Sequence, residues 1–80
     1  MAPTLDTLAP GVTASIAALR LPVKDAEWLR AVGLYEGTEV ELLRRAPFGG
    51  PLHVRTASGA EFAVDAELAA HVEVAEAGSP

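Results

Sequence analysis

Eighty residues with no cysteine and a formal net charge of −5 bound what this chain can be. They exclude a disulfide framework, a thiolate metal site and a thiol nucleophile. They also make nucleic acid a poor default partner, because phosphate binding needs clustered cations. One domain is implied, near the lower size limit for independent folding. Alanine supplies much of the apolar half of the composition, so the core must be compact and the net stability small, about 3–5 kcal/mol. Met1-Ala2-Pro3-Thr4 has neither a basic nor an apolar leader segment, and no apolar run approaches the ~18 residues of a membrane span. Together with the lack of disulfides, this predicts a soluble cytoplasmic protein.

Thr4 is placed to cap a single helical turn through Leu8, with Asp6 near the positive end of its dipole, and Pro10-Gly11 stops it. Leu5 and Leu8 then lie on one side and plug one end of the core. From Val12 to Leu19 the pattern alternates, with Val12, Ala14, Ile16 and Ala18 on one face, and reads as a strand. Leu21-Pro22-Val23 is a connector, since proline offers no N–H to a ladder. Asp25 is the expected N-cap of a short helix with Glu27 in its first turn, and Leu29 and Val32 share its buried face. Gly33 ends the helix in a left-handed conformation, and Gly37 supplies a second permissive dihedral before the next strand.

Downstream the strands come quickly. Val40 and Leu42 point one way and Glu39 and Glu41 the other, until Leu43 breaks the alternation ahead of Arg44 and Arg45, which predicts a bulge. Ala46-Pro47-Phe48-Gly49-Gly50-Pro51 is a hairpin connection. Leu52, Val54 and Thr56 form the next inward set, Ser58-Gly59 a turn, and Phe62 with Val64 another inward pair. Asp65 caps a one-turn helix through Ala70 that Leu68 pins to the core, and Val72 and Val74 make a short last strand. Residues 1–74 are thus expected to form a single domain and 75–80 a disordered tail. Five short strands around a small core predict a mainly β, SH3-like, partly open barrel. One short helix lies between the first and second strands and a one-turn helix precedes the last.

Little here can perform catalysis. His53 and His71 lie on different strands beside inward apolar positions, without metal-ligand spacing to Asp65 or Glu73. The serines have no histidine at motif spacing, and Gly49-Gly50 opens no helix that could cradle a phosphate. Arg44, Arg45 and Arg55 read as a solvated strand face balancing Glu39 and Glu41 in preference to a basic patch. The distinctive surface combines Tyr35, Phe48 and the proline-rich hairpin, because aromatics on rigid turns bind at low entropic cost. Two roles stay open for Phe48, a cap folded back on the barrel or a partner contact. Trp28 likewise is either a partly buried lid over the barrel edge or an anchor.

The pattern Gly11-x-x-Ala14-x-Ile16, then Leu29-Arg30-Ala31-Val32-Gly33-Leu34-x-x-Gly37, then Val40-x-Leu42 and Ala46-Pro47-Phe48-Gly49-Gly50-Pro51-Leu52 resembles the FeoA family. Phe62-Ala63-Val64 and Val72-Glu73-Val74 extend the resemblance over Leu5 to Val74. It implies a small cytoplasmic accessory protein of bacterial ferrous iron uptake, without enzyme activity, cofactor or resident metal. Such a protein docks on the cytoplasmic GTP-binding region of a FeoB-type permease and modulates it. Tyr35, Phe48, Pro51 and Trp28 are the expected contacts; Gly33, Gly37, Pro47 and Gly49 are assigned to turn architecture. The alternatives are an SH3-like peptide-binding module and a regulatory domain related to the C-terminal domain of DtxR-type iron-dependent repressors. Three positions depart from the family pattern. Gly50 stands where aspartate is frequent and Glu36 where proline is frequent, both turn positions expected to tolerate the exchange. Asp65 stands where a basic residue is frequent, which reverses a charge.

Overall fold

The computed structural model describes residues 2–76, without the side chain of Glu76. A 3-10 turn, Leu5–Thr7, precedes β1 (Thr13–Leu19), α1 (Val23–Ala31), β2 (Glu39–Arg45), β3 (Leu52–Thr56), β4 (Glu61–Val64), α2 (Ala66–Ala69) and β5 (Val72–Glu76). The strands form one antiparallel open sheet in the order β4-β3-β2-β1-β5. This is the mainly β arrangement with two small helices that the alternation predicts. The meander β2-β3-β4 hangs from one side of β1, and β5 returns to pair with the other.

Alternation decides which side chains meet. Ala14 and Ile16 of β1, Val40 and Leu42 of β2, Leu52 and Val54 of β3, Val64 of β4 and Val72 and Val74 of β5 are all buried. Leu29 of α1 and Leu34 just beyond it close the core from one side. Leu5 and Leu8 are buried as expected of an end plug. The 3-10 turn is held by the Thr7 N–H donating to Thr4 O at 2.9 Å and by the Thr7 hydroxyl donating to the same oxygen at 2.7 Å. Its entry strand pairs with β5, where the Val74 N–H donates to Pro3 O at 2.9 Å.

The bulge anticipated near Leu43 is present: the β2–β3 register slips between Leu42 and Arg44. A second slip, between Ile16 and Ala18 in the β1–β5 pairing, had no signature in a run of small residues. It leaves Ala18 only half-buried and brings Leu19 against the core. Such bulges bend strands, as a small curved sheet requires.

The helices differ in detail from the expectation. Helix α1 begins at Val23 with Pro22 at its N-cap, so Asp25 is not the cap but lies in the first turn. Proline's fixed φ presents Pro22 O to the Ala26 N–H at 3.0 Å, and the Asp25 carboxylate meets the dipole instead. Val32 is the C-cap, only half-buried, and the helix buries Ala26 and Leu29. In α2, Asp65 stands at the N-cap without a side-chain cap bond; Leu68 packs against the core as expected, and Ala69 beside it is fully buried. Strand β5 runs to Glu76, so Ala75 and Glu76 belong to the sheet and not to a tail; residues 77–80 lie outside those described.

Candidate partner-binding surface

The hairpin between β2 and β3 closes twice. The Ala46 N–H donates to Pro51 O at 3.0 Å, and the Gly50 N–H to Pro47 O at 3.2 Å. Phe48 and Gly49, between Pro47 and Gly50, have φ of 59° and 74°. Positive φ at both central positions defines a type I′ turn, whose twist matches that of the flanking strands. Phe48 is the one non-glycine residue with positive φ among those described, and its ring is wholly in solvent at 103% relative exposure. Of the two roles open to it, the cap folded onto the barrel is excluded. Holding a bulky L-residue in this region costs roughly 1–2 kcal/mol, and burial of the ring returns none of it. Gly50 contributes differently: a Cβ there would lie 2.7 Å from Ala46 Cβ. The turn thus forms with glycine in place of the frequent aspartate, as expected, but aspartate would not fit this chain without a shift, because the turn folds the Ala46 methyl over the position.

At the other end of β2, the exit of α1 is a Schellman stop. The Gly33 N–H donates to Arg30 O at 3.1 Å and the Leu34 N–H to Leu29 O at 2.8 Å. Gly33 supplies the required left-handed residue at φ 107°. Leu29 and Leu34 are both fully buried. Tyr35-Glu36-Gly37-Thr38 then forms a type II turn, with the Thr38 N–H on Tyr35 O at 3.1 Å and Gly37 at φ 91°. The turn is sewn to β1 by the Gly37 N–H on Ile16 O and the Ile16 N–H on Thr38 O, each at 2.8 Å. Arg30 grips Glu36 through two bonds, Nη2 at 2.8 Å and Nε at 3.2 Å. That guanidinium lowers the Glu36 carboxyl from 4.5 to about 2, and the carboxylate raises Arg30 in return. Tyr35 is half-exposed on this braced turn. Trp28 is also half-exposed and meets Phe62 of β4 edge-on, ring centroids 6.2 Å apart.

The four expected contacts do not form one surface. Tyr35 precedes β2 and Phe48 follows it, so the seven-residue strand separates them by about 20 Å. Trp28 belongs with the Tyr35 end, on the same helix–turn unit, and the exposed Pro51 with the Phe48 end. Val23, 72% exposed, is an apolar surface residue that the connector reading hid. Of the strand arginines, Arg55 is neutralised and Arg45 is held by a backbone carbonyl. Arg55 pairs with Glu41 at 3.3 Å and Glu61 at 3.4 Å, and Arg45 donates to Leu8 O.

A further feature escaped the sequence. A hollow of about 380 Å³ opens between the start of α1 and α2, with Leu21, Pro22 and Leu68 beside Asp25, Asp65, Glu67 and His71. Its walls come from two distant segments, neither with a local motif. Among the described residues, no three His, Asp or Glu side chains converge in a way that could hold a metal ion.

The FeoA domain family model matches residues 4–76. No match was found among the curated proteins. Among solved structures, the chain is similar to the FeoA protein from Chlorobium tepidum, with 22% identity over 96% of this chain and 72% of that one, and a TM-score of 0.88. It is 31% identical to the FeoA of Stenotrophomonas maltophilia solved with zinc, covering 91% of this chain and 89% of that one, at a TM-score of 0.74. That protein is described as a prokaryotic SH3 domain protein and candidate activating factor of bacterial ferrous iron transport. A manganese-dependent transcriptional repressor shares the fold at a TM-score of 0.85 and 21% identity, over 94% of this chain and 36% of the repressor. Matched along nearly its whole described length, the chain belongs to the FeoA family of SH3-like domains associated with ferrous iron transport.

Proposed function

We propose that this chain is a cytoplasmic accessory protein that docks on the GTP-binding region of a FeoB-type ferrous iron permease. It has no catalytic part to play there. A domain without chemistry changes a partner only through different affinities for that partner's states, so its effect is to shift the permease region toward the state it binds better. The observation that supports this reading is Phe48, held fully in solvent on a left-handed backbone by a turn flanked by prolines. Strain retained at an exposed aromatic points to a use outside the fold. Pro51 shares that end, and Tyr35 and Trp28 supply a second aromatic face.

Titration of the permease's cytoplasmic domain with this chain, with and without guanine nucleotide, tests the proposal. Binding that depends on the nucleotide state, weakened at least tenfold by Phe48→Ala with the fold intact, is the expected result. No binding in any nucleotide state would overturn it, and so would binding indifferent to Ala at Phe48, Tyr35 and Trp28 alike.

A further inference from the structure

The hairpin and the α1–α2 hollow are complementary. Arg44 and Arg45 stand at the base of the hairpin, and no carboxylate follows in the chain until Glu61. The hairpin end is thus cationic in an acidic protein, with an exposed phenyl ring at its tip. The hollow is the converse, lined by Leu21, Pro22 and Leu68 together with the carboxylates of Asp25, Asp65 and Glu67. Among the described residues, none of these three carboxylates forms an ion pair, and neither does Arg44. A cavity of roughly 150 Å³ is enough to hold a benzene ring, so about 380 Å³ admits a phenyl group with its flanking backbone.

One wall of the hollow lies beside the base of the hairpin. Leu52 pairs with Val64, which sets Pro51 at the base of the hairpin beside Asp65 at the entrance to α2. A knob and a hole on the same chain let two copies exchange hairpins about a two-fold axis, and such a contact closes on itself without propagating.

We infer that the Pro47–Pro51 hairpin of one copy seats in the α1–α2 hollow of a second copy. Phe48 lies on Leu21, Pro22 and Leu68, and Arg44 reaches the carboxylates that line the hollow. The contact is small against the ~1,200 Å² of a standard stable interface, so the dimer is weak and depends on concentration and salt. The ring that self-association covers is then withheld from any other partner. The inference concerns the chain alone, so its failure leaves the permease proposal standing and the reverse also holds.

Sedimentation velocity on the full chain from ~10 µM to ~1 mM, at low and high salt, tests it at concentrations where weak dimers populate. The expected result is a monomer–dimer equilibrium weakened by salt and lost in both Phe48→Ala and Glu67→Lys. Phe48→Asn guards against a folding artefact, since asparagine suits the turn better while lacking the ring; it should be folded and monomeric. A wild-type monomer at ~1 mM and low salt overturns the inference, as does a dimer that survives loss of the ring. An NMR titration of a monomeric chain in which the hollow responds to an arginine-rich peptide would instead give it to a basic partner segment, and would also overturn the second-copy assignment.

Discussion

Phe48 occupies a position that asparagine or glycine would fill at lower conformational cost, and its ring touches nothing that would offset the difference. Phe48→Asn should therefore stabilise the domain by about 1 kcal/mol. Urea denaturation would show a higher midpoint with unchanged slope; a lower midpoint would mean that the ring supports the fold. Gly50 should respond in the opposite direction. Aspartate there places a Cβ against the Ala46 methyl at 2.7 Å, so Gly50→Asp should cost about 1–3 kcal/mol, in line with other overpacked sites. Pairing it with Ala46→Gly removes the obstructing methyl and should recover part of the loss, the remainder coming from the Pro47 backbone oxygen 3.2 Å from the new Cβ. The composition of Ala46–Pro51 announces a hairpin, but not this allocation of roles. Which glycine is sterically required depends on where the closing hydrogen bonds fall, and that register is not written in the residue types.

Among the elements, the corner joining α1 to β2 was the most legible, because its determinants are local. Gly33 and Gly37 stand at the spacing that a Schellman stop and a type II turn demand, and both motifs form. The start of α1 was misread because Pro22 and Asp25 both offer a way to begin a helix, and the extended backbone at Pro22 begins it first. The corner also carries a titratable brace. Glu36 binds Arg30 and titrates near 2 instead of 4.5. A carboxyl depressed by folding stabilises the native state above its unfolded value, and that contribution fades as pH falls toward the folded value. Glu36→Gln should thus lower the urea midpoint slightly at neutral pH, and the difference from wild type should close between about pH 4.5 and about pH 2. Both side chains are nearly half exposed, so the effect is small and should shrink with added salt. A gap that widens on acidification would exclude this assignment.

Across the whole molecule, the succession of elements and the core are legible because the period-two alternation that assigns faces also names the buried residues, as Val40, Leu42, Leu52 and Val54 show, whereas the pairing of β1 between β2 and β5 is not written in it. The grouping of Tyr35 with Phe48 was not sound, and strand geometry shows why: residues flanking a seven-residue strand stand about 20 Å apart. The α1–α2 hollow was beyond reach, since it exists only once the sheet carries β4 round toward α1. The separation of the aromatic faces has a consequence for binding. Substitutions that far apart, with no shared partner, act additively to within about 0.5 kcal/mol. If one permease domain spans both ends, Tyr35→Ala and Phe48→Ala should each weaken it, and the double variant should lose the sum. The hairpin change should be the larger, at about 2 kcal/mol or roughly 30-fold in Kd, because its ring is the more exposed anchor. Trp28 is the only tryptophan and stands half-exposed beside Phe62, so its fluorescence reports occupancy of the helix face directly. Binding that shifts Trp28 emission in wild type and in Phe48→Ala alike places a contact at that face. Loss through the hairpin variant with silent Trp28 emission would confine docking to the β2–β3 end and leave Tyr35 out of it.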